Sequence, residues 1–302
     1  MVMKSRAATT EQLQTLLKRG FELLSRGRIH DAGECCRQIL QLKPDLVEGH
    51  FLVGLVALEA KDRKTAFSAF GSVTRLQKDH AAAWAHLAKL FMSEGQVNRA
   101  DAALAEAARS QSRDPLVHDL LGSVYSMMGE HGIARGWFEK AVAAQPDHPP
   151  FMHNLANNLI YHGETREAEA LFRRVIELQP NSPQAHWALA GGRKATDQGH
   201  IHQIQALLRD GKHHPRMQAF YYYAMGKEFE DLQEWDAAFD AFSKGARARR
   251  ETVEYDEAAE IALFEFLEEK FTADWAADGA VGHDSDAPIF VLGQPRSGTV
   301  SY

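Results

Sequence analysis

The sequence predicts an all-α fold, a solenoid of helix pairs that repeat about every 34 residues. Two series of small residues carry this prediction, and within each series the residues stand 34 positions apart. The first series consists of alanines: Ala32, Ala66, Ala100, Ala134 and Ala168. The second series lies twelve positions earlier: Gly20, Gly54, Ala88, Gly122, Ala156 and Ala190. Two small positions per unit indicate two helices that approach each other closely.

A third series completes the pattern, because each member stands four positions after an alanine and therefore on the same helical face. Its members are mostly bulky: Cys36, Phe70, Leu104, Phe138 and Phe172. Small residues let two helix backbones approach, and the bulky side chains fill the groove between them. Turn signals fall where such units need them, within units at Gly27, Gly95, Gly129 and Gly163 and between units at Pro44, Pro146 and Pro180.

One unit contains the full set of residue types in order: Leu121, Gly122, Tyr125, Ala134, Phe138, Ala141 and Pro146. This set resembles the tetratricopeptide repeat. The resemblance implies a right-handed superhelix whose inner wall binds a protein or peptide. The strict units are then 13–46, 47–80, 81–114, 115–148 and 149–182, and one more repeat follows at 219–252.

The domain plan follows from these units and from the loss of the pattern after residue 182, where His202 takes the alanine position. In chain order it has an N-terminal segment 1–12, a superhelix 13–252 with a degenerate unit at 183–218, an amphipathic capping helix 253–275, a linker 276–287 and the start of a different domain at 288–302.

That last segment begins with an apolar run at 288–292, which predicts a buried strand. A glycine-containing loop follows the strand and runs from Gly293 to Thr299. A strand that leads into such a loop is typical of phosphate binding, because glycines let backbone N–H groups approach phosphate oxygens. The glycine spacing is that of a Walker loop, but Thr299 stands where the lysine of an ATPase or GTPase is expected. This difference argues against a nucleotide hydrolase.

The run 288–299 resembles the 5′-phosphosulfate loop of sulfotransferases, and its position after helical repeats resembles bacterial tetratricopeptide proteins with a tyrosylprotein-sulfotransferase-like domain. The resemblance implies a remnant site for the donor PAPS at Gly293, Pro295, Arg296, Ser297, Gly298 and Thr299. That family continues with a second threonine and a long helix, whereas this sequence ends at Tyr302. We therefore expect a truncated domain, from a frameshift, an early stop or a partial record, with no catalytic residue and no bound PAPS.

Peptide contacts are expected on the inner helix of the fifth unit, where three asparagines fall close together: Asn154, Asn157 and Asn158. An asparagine side chain offers both donors and acceptors to a peptide backbone. The alternative is that asparagine is simply tolerated at these exposed helix positions. The lysines and asparagines with which chaperone-binding repeats hold a terminal carboxylate are not evident, since Lys89 stands largely alone.

Metal binding and redox chemistry have weak support in the sequence. The spacing of His200, His202, His213 and His214 fits no common zinc module, so we expect solvated loop histidines and no metal. Cys36 occupies a packing position of the third series. A buried cysteine behaves as a small hydrophobe, which favours core filling over a redox pair with its neighbour.

Charge and hydropathy limit the partners and the location. The net charge of −7 argues against a general nucleic-acid or membrane-surface binder, because such proteins need an excess of lysine and arginine. No stretch reaches the ~18 uncharged apolar residues of a membrane-spanning helix, and residues 1–20 lack the apolar core of a signal peptide. We expect a cytoplasmic protein.

Two functions remain open. The first is a scaffold that binds a protein or peptide in its groove and retains only the beginning of a sulfotransferase domain. The second is a PAPS-dependent sulfotransferase that acts on protein or peptide hydroxyls, with the solenoid selecting the substrate. Whether the chain is an enzyme is therefore left undecided, although we expect these 302 residues alone to be inactive.

Overall fold

The computed structural model describes residues 2–277. The chain divides into two units, Met1–Glu251 and Thr252–Tyr302. The described part of the first unit contains fourteen α-helices. In chain order they are α1 (Val2–Ser25), α2 (Ile29–Leu42), α3 (Val47–Glu59), α4 (Arg63–Leu76), α5 (Ala81–Ser93), α6 (Val97–Arg109), α7 (Pro115–Met127), α8 (His131–Ala144), α9 (Pro149–Tyr161), α10 (Thr165–Leu178), α11 (Pro183–Gly192), α12 (Gly199–Asp210), α13 (Pro215–Asp231) and α14 (Trp235–Arg250).

The helices pack as a stack of hairpins. Each odd-numbered helix from α1 to α9 packs against the even-numbered helix that follows, and α13 packs against α14 in the same way. Neighbouring hairpins also contact each other, for example α5 with α7 and α8 with α9. The all-α prediction is therefore confirmed for this unit; the right-handed sense of the superhelix stays a prediction.

Close helix crossing explains the spacing in the sequence. A Cβ atom added to Gly54 would lie 2.6 Å from the Phe70 ring, and one added to Gly122 would lie 2.7 Å from the Phe138 ring. The five alanines of the first series are all completely buried. The small residue of one helix thus makes room for the bulky residue of its partner, as the sequence predicts.

The turns within hairpins depend on a left-handed backbone conformation at one position. Gly27, Gly95, Gly129 and Gly163 have φ between 69° and 84°. Lys61 stands at the equivalent position of the second hairpin and has φ 59°. Glycine adopts this conformation without steric cost, whereas a residue with a Cβ atom is strained there.

The degenerate unit does not form a regular hairpin. α11 is only 10 residues long and packs against α9, α10 and α13, while α12 packs against α13. Residues 193–198 connect α11 to α12 without helical structure. Two acidic residues hold this connection. Asp231 at the end of α13 accepts a hydrogen bond from the Ala195 amide at 2.8 Å, and Glu234 before α14 accepts one from Gln198 at 2.5 Å.

The second unit contains α15 (Glu257–Lys270) and α16 (Ala273–Ala277) within its described residues. Asp256 caps α15 by accepting a hydrogen bond from the Ala259 amide at 3.0 Å. Several large apolar side chains of this unit are exposed, including Ile261, Phe264 and Trp275. The capping role of 253–275 stays a prediction.

The predicted strand, phosphate loop and truncated domain at 288–302 lie outside the described residues, as does the linker from 278 onward. Within the described residues no helix is long and apolar enough to span a membrane. Cys35 and Cys36 are buried and form no disulfide, and burial raises the pKa of Cys36 to about 11. Cys36 therefore fills the core, as predicted.

Candidate functional site: a groove along the odd-numbered helices

A groove with a volume of about 600 Å³ lies between α7, α9 and α11. We call it the central groove. Its floor includes the rings of Phe138 and Phe172, which are buried core residues. Polar and aromatic side chains form its rim: Ser123, Ser126, Asn154, Asn157, Asn158, Tyr161 and Trp187.

The three predicted asparagines all line this groove, but their hydrogen bonds differ. The Asn154 amide donates to both carboxylate oxygens of Asp119 on α7, at 2.9 and 3.1 Å. The buried Asn158 amide donates to the His131 carbonyl at 3.0 Å, while its Oδ1 has no partner. Asn157 is half-buried and makes no side-chain hydrogen bond to any residue in the described part of the chain. Asn154 and Asn158 thus join helices, and Asn157 is the amide available to a ligand.

Asp119 does not line the groove itself, but it holds Asn154, which does. Burial raises its pKa, while the hydrogen bonds from Asn154 and the charge of Lys89 oppose that rise. A half-buried carboxylate of this kind keeps the Asn154 amide in one orientation, because both of its oxygens accept from the same nitrogen. The polar wall of the groove is therefore held rigid before a ligand arrives.

Two exposed aromatic residues stand at the edges of the central groove. Tyr161 is 67% exposed and stacks on the His131 ring, with centroids 4.1 Å apart and planes at 7°. Ser126 is hydrogen-bonded to Nδ1 of the same His131 ring at 3.2 Å. Trp187 on α11 is 50% exposed. Exposed aromatic residues around unpaired polar groups are typical of binding surfaces.

A second cavity, of about 690 Å³, lies along α1, α3 and α5. Leu55, Leu58 and Leu90 supply apolar lining, and Lys89 lies among them. His86 also lines it and stacks on Phe70 with centroids 4.8 Å apart, where burial lowers its pKa to about 4. Lys89, which stands largely alone as a basic residue in the sequence, thus lines a cavity together with these leucines.

The 34-residue spacing connects the two cavities. Leu55, Lys89, Ser123, Asn157 and Gly191 stand 34 positions apart, and each lines one of these cavities. They are equivalent positions on successive odd-numbered helices. Steps of 34 residues from Asn157 in both directions of the sequence therefore find one lining residue on each odd-numbered helix from α3 to α11.

The histidines at 200–214 differ from the prediction of solvated loop residues. That prediction is wrong for His200, which is buried and hydrogen-bonded to the buried Glu228. His202 is exposed but lies in α12. His213 donates a hydrogen bond from Nε2 to the Leu207 carbonyl at 2.8 Å. Within residues 2–277 no three histidine, cysteine or acidic side chains are arranged to hold a metal ion.

Comparison with known families and proteins identifies the repeats. The family model of the tetratricopeptide repeat matches residues 57–124 and 129–191. An uncharacterized protein of Aquifex aeolicus is 28% identical over 155 residues, which are 51% of this chain and 20% of that protein. Human Tetratricopeptide repeat protein 7B is 31% identical over 98 residues, 32% of this chain and 11% of that protein. The chain thus spans a fifth or less of these relatives.

Solved structures have the same fold at low identity. A thermophilic TPR protein of Thermus thermophilus has a TM-score of 0.53 at 20% identity and covers 60% of this chain and 98% of its own. Human IFIT1, solved as a dimer with PPP-AAAA, has a TM-score of 0.62 at 17% identity. The match covers 86% of this chain and 65% of the IFIT1 chain. A chain of Cut9-Hcn1, a hetero-tetramer of the APC/C, has a TM-score of 0.56 at 15% identity. The match covers 77% of this chain and 42% of that one.

Proposed function

The chain contains tetratricopeptide repeats at residues 57–124 and 129–191, and from this premise we propose that its central groove binds an extended segment of a partner protein. The observation that carries the proposal is the amide of Asn157, which has no partner among the described residues and lines the same groove as the exposed rings of Tyr161 and Trp187. Proteins with stacked repeats present such continuous inner surfaces to partners. A partner protein also agrees with the Cut9-Hcn1 assembly, in which a similar fold belongs to a hetero-tetramer.

The chemistry of Asn157 suits a peptide backbone. An extended peptide presents N–H donors and C=O acceptors that need partners once they are removed from water. The Asn157 amide offers both a donor and an acceptor. Its neighbours Asn154 and Asn158 are fixed by hydrogen bonds within the solenoid, so the groove is formed in advance and little entropy is lost on binding.

Selection of peptides tests this proposal directly. Random 12-residue peptides displayed on phage would be selected on the folded 302-residue protein, and affinities of the enriched peptides measured by fluorescence anisotropy. We expect Asn157→Ala to weaken binding about 5- to 10-fold, the effect of one or two hydrogen bonds. Asn98→Ala is the matched control, because Asn98 is an exposed asparagine of α6 outside both cavities. Equal affinity for the Asn157→Ala variant, or the enrichment of no peptide, contradicts the proposal.

The sequence of residues 288–299 favours a second candidate. In it the solenoid presents an acceptor peptide to a PAPS-dependent sulfotransferase, and Arg296 and its loop hold the 5′-phosphosulfate. Calorimetric titration of the chain with PAPS distinguishes the two. A binding protein without a donor site gives no heat. Micromolar binding that Arg296→Ala abolishes would favour the enzyme.

A further inference from the structure

A third cavity, of about 240 Å³, lies between α11, α13 and α14, and we call it the Trp187 pocket. Its lining combines aromatic and basic side chains: Trp187, Arg216, Phe220, Tyr223 and Arg249, with Ala219. Trp187 and Phe220 meet edge to face, with centroids 5.8 Å apart and planes at 65°. Trp187 also lines the central groove, so its indole belongs to both cavities.

Contacts behind the lining residues of this pocket support two of its walls. A Cβ atom on Gly245 of α14 would lie 2.8 Å from the Tyr223 ring, so the missing side chain leaves room for that ring. Glycine inside a helix costs about 1 kcal/mol relative to alanine, which makes its presence here a sign of a steric need. On α11, the buried His186 next to Trp187 is held by the Pro180 carbonyl and by His200, each at 2.8 Å. Both walls are therefore fixed.

The charge of the pocket is opposite to that of the whole chain. The protein has a net charge of −7, yet among the described residues two arginines and no acidic residue line the pocket. The exposed guanidinium of Arg216 forms no ion pair or hydrogen bond with a residue in the described ranges. An arginine beside aromatic rings suits an anionic group that arrives with an apolar stem, because the planar guanidinium pairs with carboxylates through two parallel bonds.

We propose that the Trp187 pocket binds an acidic side chain, aspartate or glutamate, of the same peptide that occupies the central groove. The proposal rests on the function proposed above, and it assigns the chemical class of that ligand. The peptide crosses Trp187, its carboxylate pairs with Arg216, and the methylene groups of the acidic residue contact Trp187 and Phe220. The cavity of about 240 Å³ has room for one such side chain.

The experiment uses the phage library of 12-residue peptides selected in parallel on the wild-type protein and on Arg216→Glu. We expect peptides enriched on the wild type to share an aspartate or glutamate at a fixed position. Their affinity should fall about 10-fold or more on Arg216→Ala, the loss expected for a hydrogen bond to a charged group. Selection on Arg216→Glu should replace the acidic residue with lysine or arginine at that position.

The control is Arg113→Glu, since Arg113 is an exposed arginine between α6 and α7 that lines none of the cavities described above. It should keep the wild-type preference, and circular dichroism should report the same helix content for all variants. One outcome overturns this inference while the proposed function stands. It is the selection of peptides that need Asn157 for binding but share no acidic residue and bind the Arg216→Glu variant as well as the wild type. Enrichment of no peptide at all contradicts both.

Discussion

His200 Nδ1 lies 2.8 Å from Glu228 Oε1 inside the solenoid, and both residues are buried. Glu228 also accepts from Arg193 at 2.7 Å. On its other side, His200 Nε2 lies 2.8 Å from His186 Nδ1, and His186 Nε2 lies 2.8 Å from the Pro180 carbonyl. A continuous polar chain thus passes through the degenerate unit.

The hydrogen bonds in this chain determine its protonation. There are three links between the Pro180 carbonyl and Glu228, and each needs one proton. Two neutral histidines supply only two N–H groups, so a third proton must be present. Burial lowers the pKa of His186 to about 4, which keeps that ring neutral. The neutral His186 ring can then donate from Nε2 to the Pro180 carbonyl and accept at Nδ1 from the Nε2–H group of His200.

Removal of Glu228 should strongly destabilise the solenoid. Glu228→Leu leaves Arg193 buried without its carboxylate and breaks the link to His200, and we expect a loss of about 3 kcal/mol. The free energy of unfolding in urea measures it. Glu230→Leu is the control, because Glu230 is an exposed residue of the same helix, and its effect should stay within about 0.5 kcal/mol. Similar losses for both variants would show that the polar chain contributes nothing.

Acidification should destabilise the protein because two histidines, the half-buried His86 and the buried His186, have lowered pKa values. Burial lowers the pKa of both His86 and His186 from 6.5 to about 4, so below pH 6.5 the unfolded chain binds protons that the folded chain does not. Stability is complete above pH 6.5 and falls towards pH 4, with a loss on the order of 2–3 kcal/mol per histidine. Melting temperatures measured between pH 7 and pH 4.5 give the slope of stability against pH.

Substitution identifies the source of this slope. His86→Phe keeps a ring stacked on Phe70 and removes the ionisable group, so the melting temperature should depend less on pH. His202→Gln changes an exposed histidine and should leave the slope as it is. An unchanged slope in His86→Phe would contradict the assignment.

The turn at Lys61 offers a simple gain in stability. Lys61 has φ 59° at the position where four other hairpins have glycine. A left-handed conformation costs a residue with a Cβ atom roughly 1–2 kcal/mol, and part of this is offset because glycine makes the unfolded chain more flexible. We expect Lys61→Gly to stabilise the protein by about 0.5–1 kcal/mol. Gly95→Lys should have the opposite effect. A lower melting temperature in Lys61→Gly would refute this explanation.

The close helix crossings predict opposite effects for two glycine substitutions. Gly122→Ala places a Cβ atom 2.7 Å from the Phe138 ring, whereas a Cβ atom on Gly136 of α8 meets nothing within 4 Å. We expect Gly122→Ala to cost about 1–3 kcal/mol by overpacking and Gly136→Ala to stabilise by about 0.5–1 kcal/mol. Adding Phe138→Leu to Gly122→Ala should recover part of the stability that Gly122→Ala loses. Equal effects at the two glycines would exclude the steric explanation.

The fold could be predicted from the sequence because its cause is local. A small residue meets a bulky residue 16 positions later in the chain, as Gly54 meets Phe70 and Gly122 meets Phe138. The site was only partly predictable. Asn157 stood out by residue type, but Trp187 enters the same groove from the next unit, and no short-range pattern connects the two. The buried state of His200 depends on Glu228, 28 residues later in the chain.

Nuclear magnetic resonance of asparagine side chains tests the proposed groove most directly. The Asn157 amide resonances, assigned by comparison with Asn157→Ala, would be followed during titration with a peptide from the phage selection. We expect the Asn157 resonances to shift with the same affinity as the anisotropy titration gives, while those of Asn98 stay in place. Saturation of the protein by the peptide with no change at Asn157 would contradict binding in the central groove.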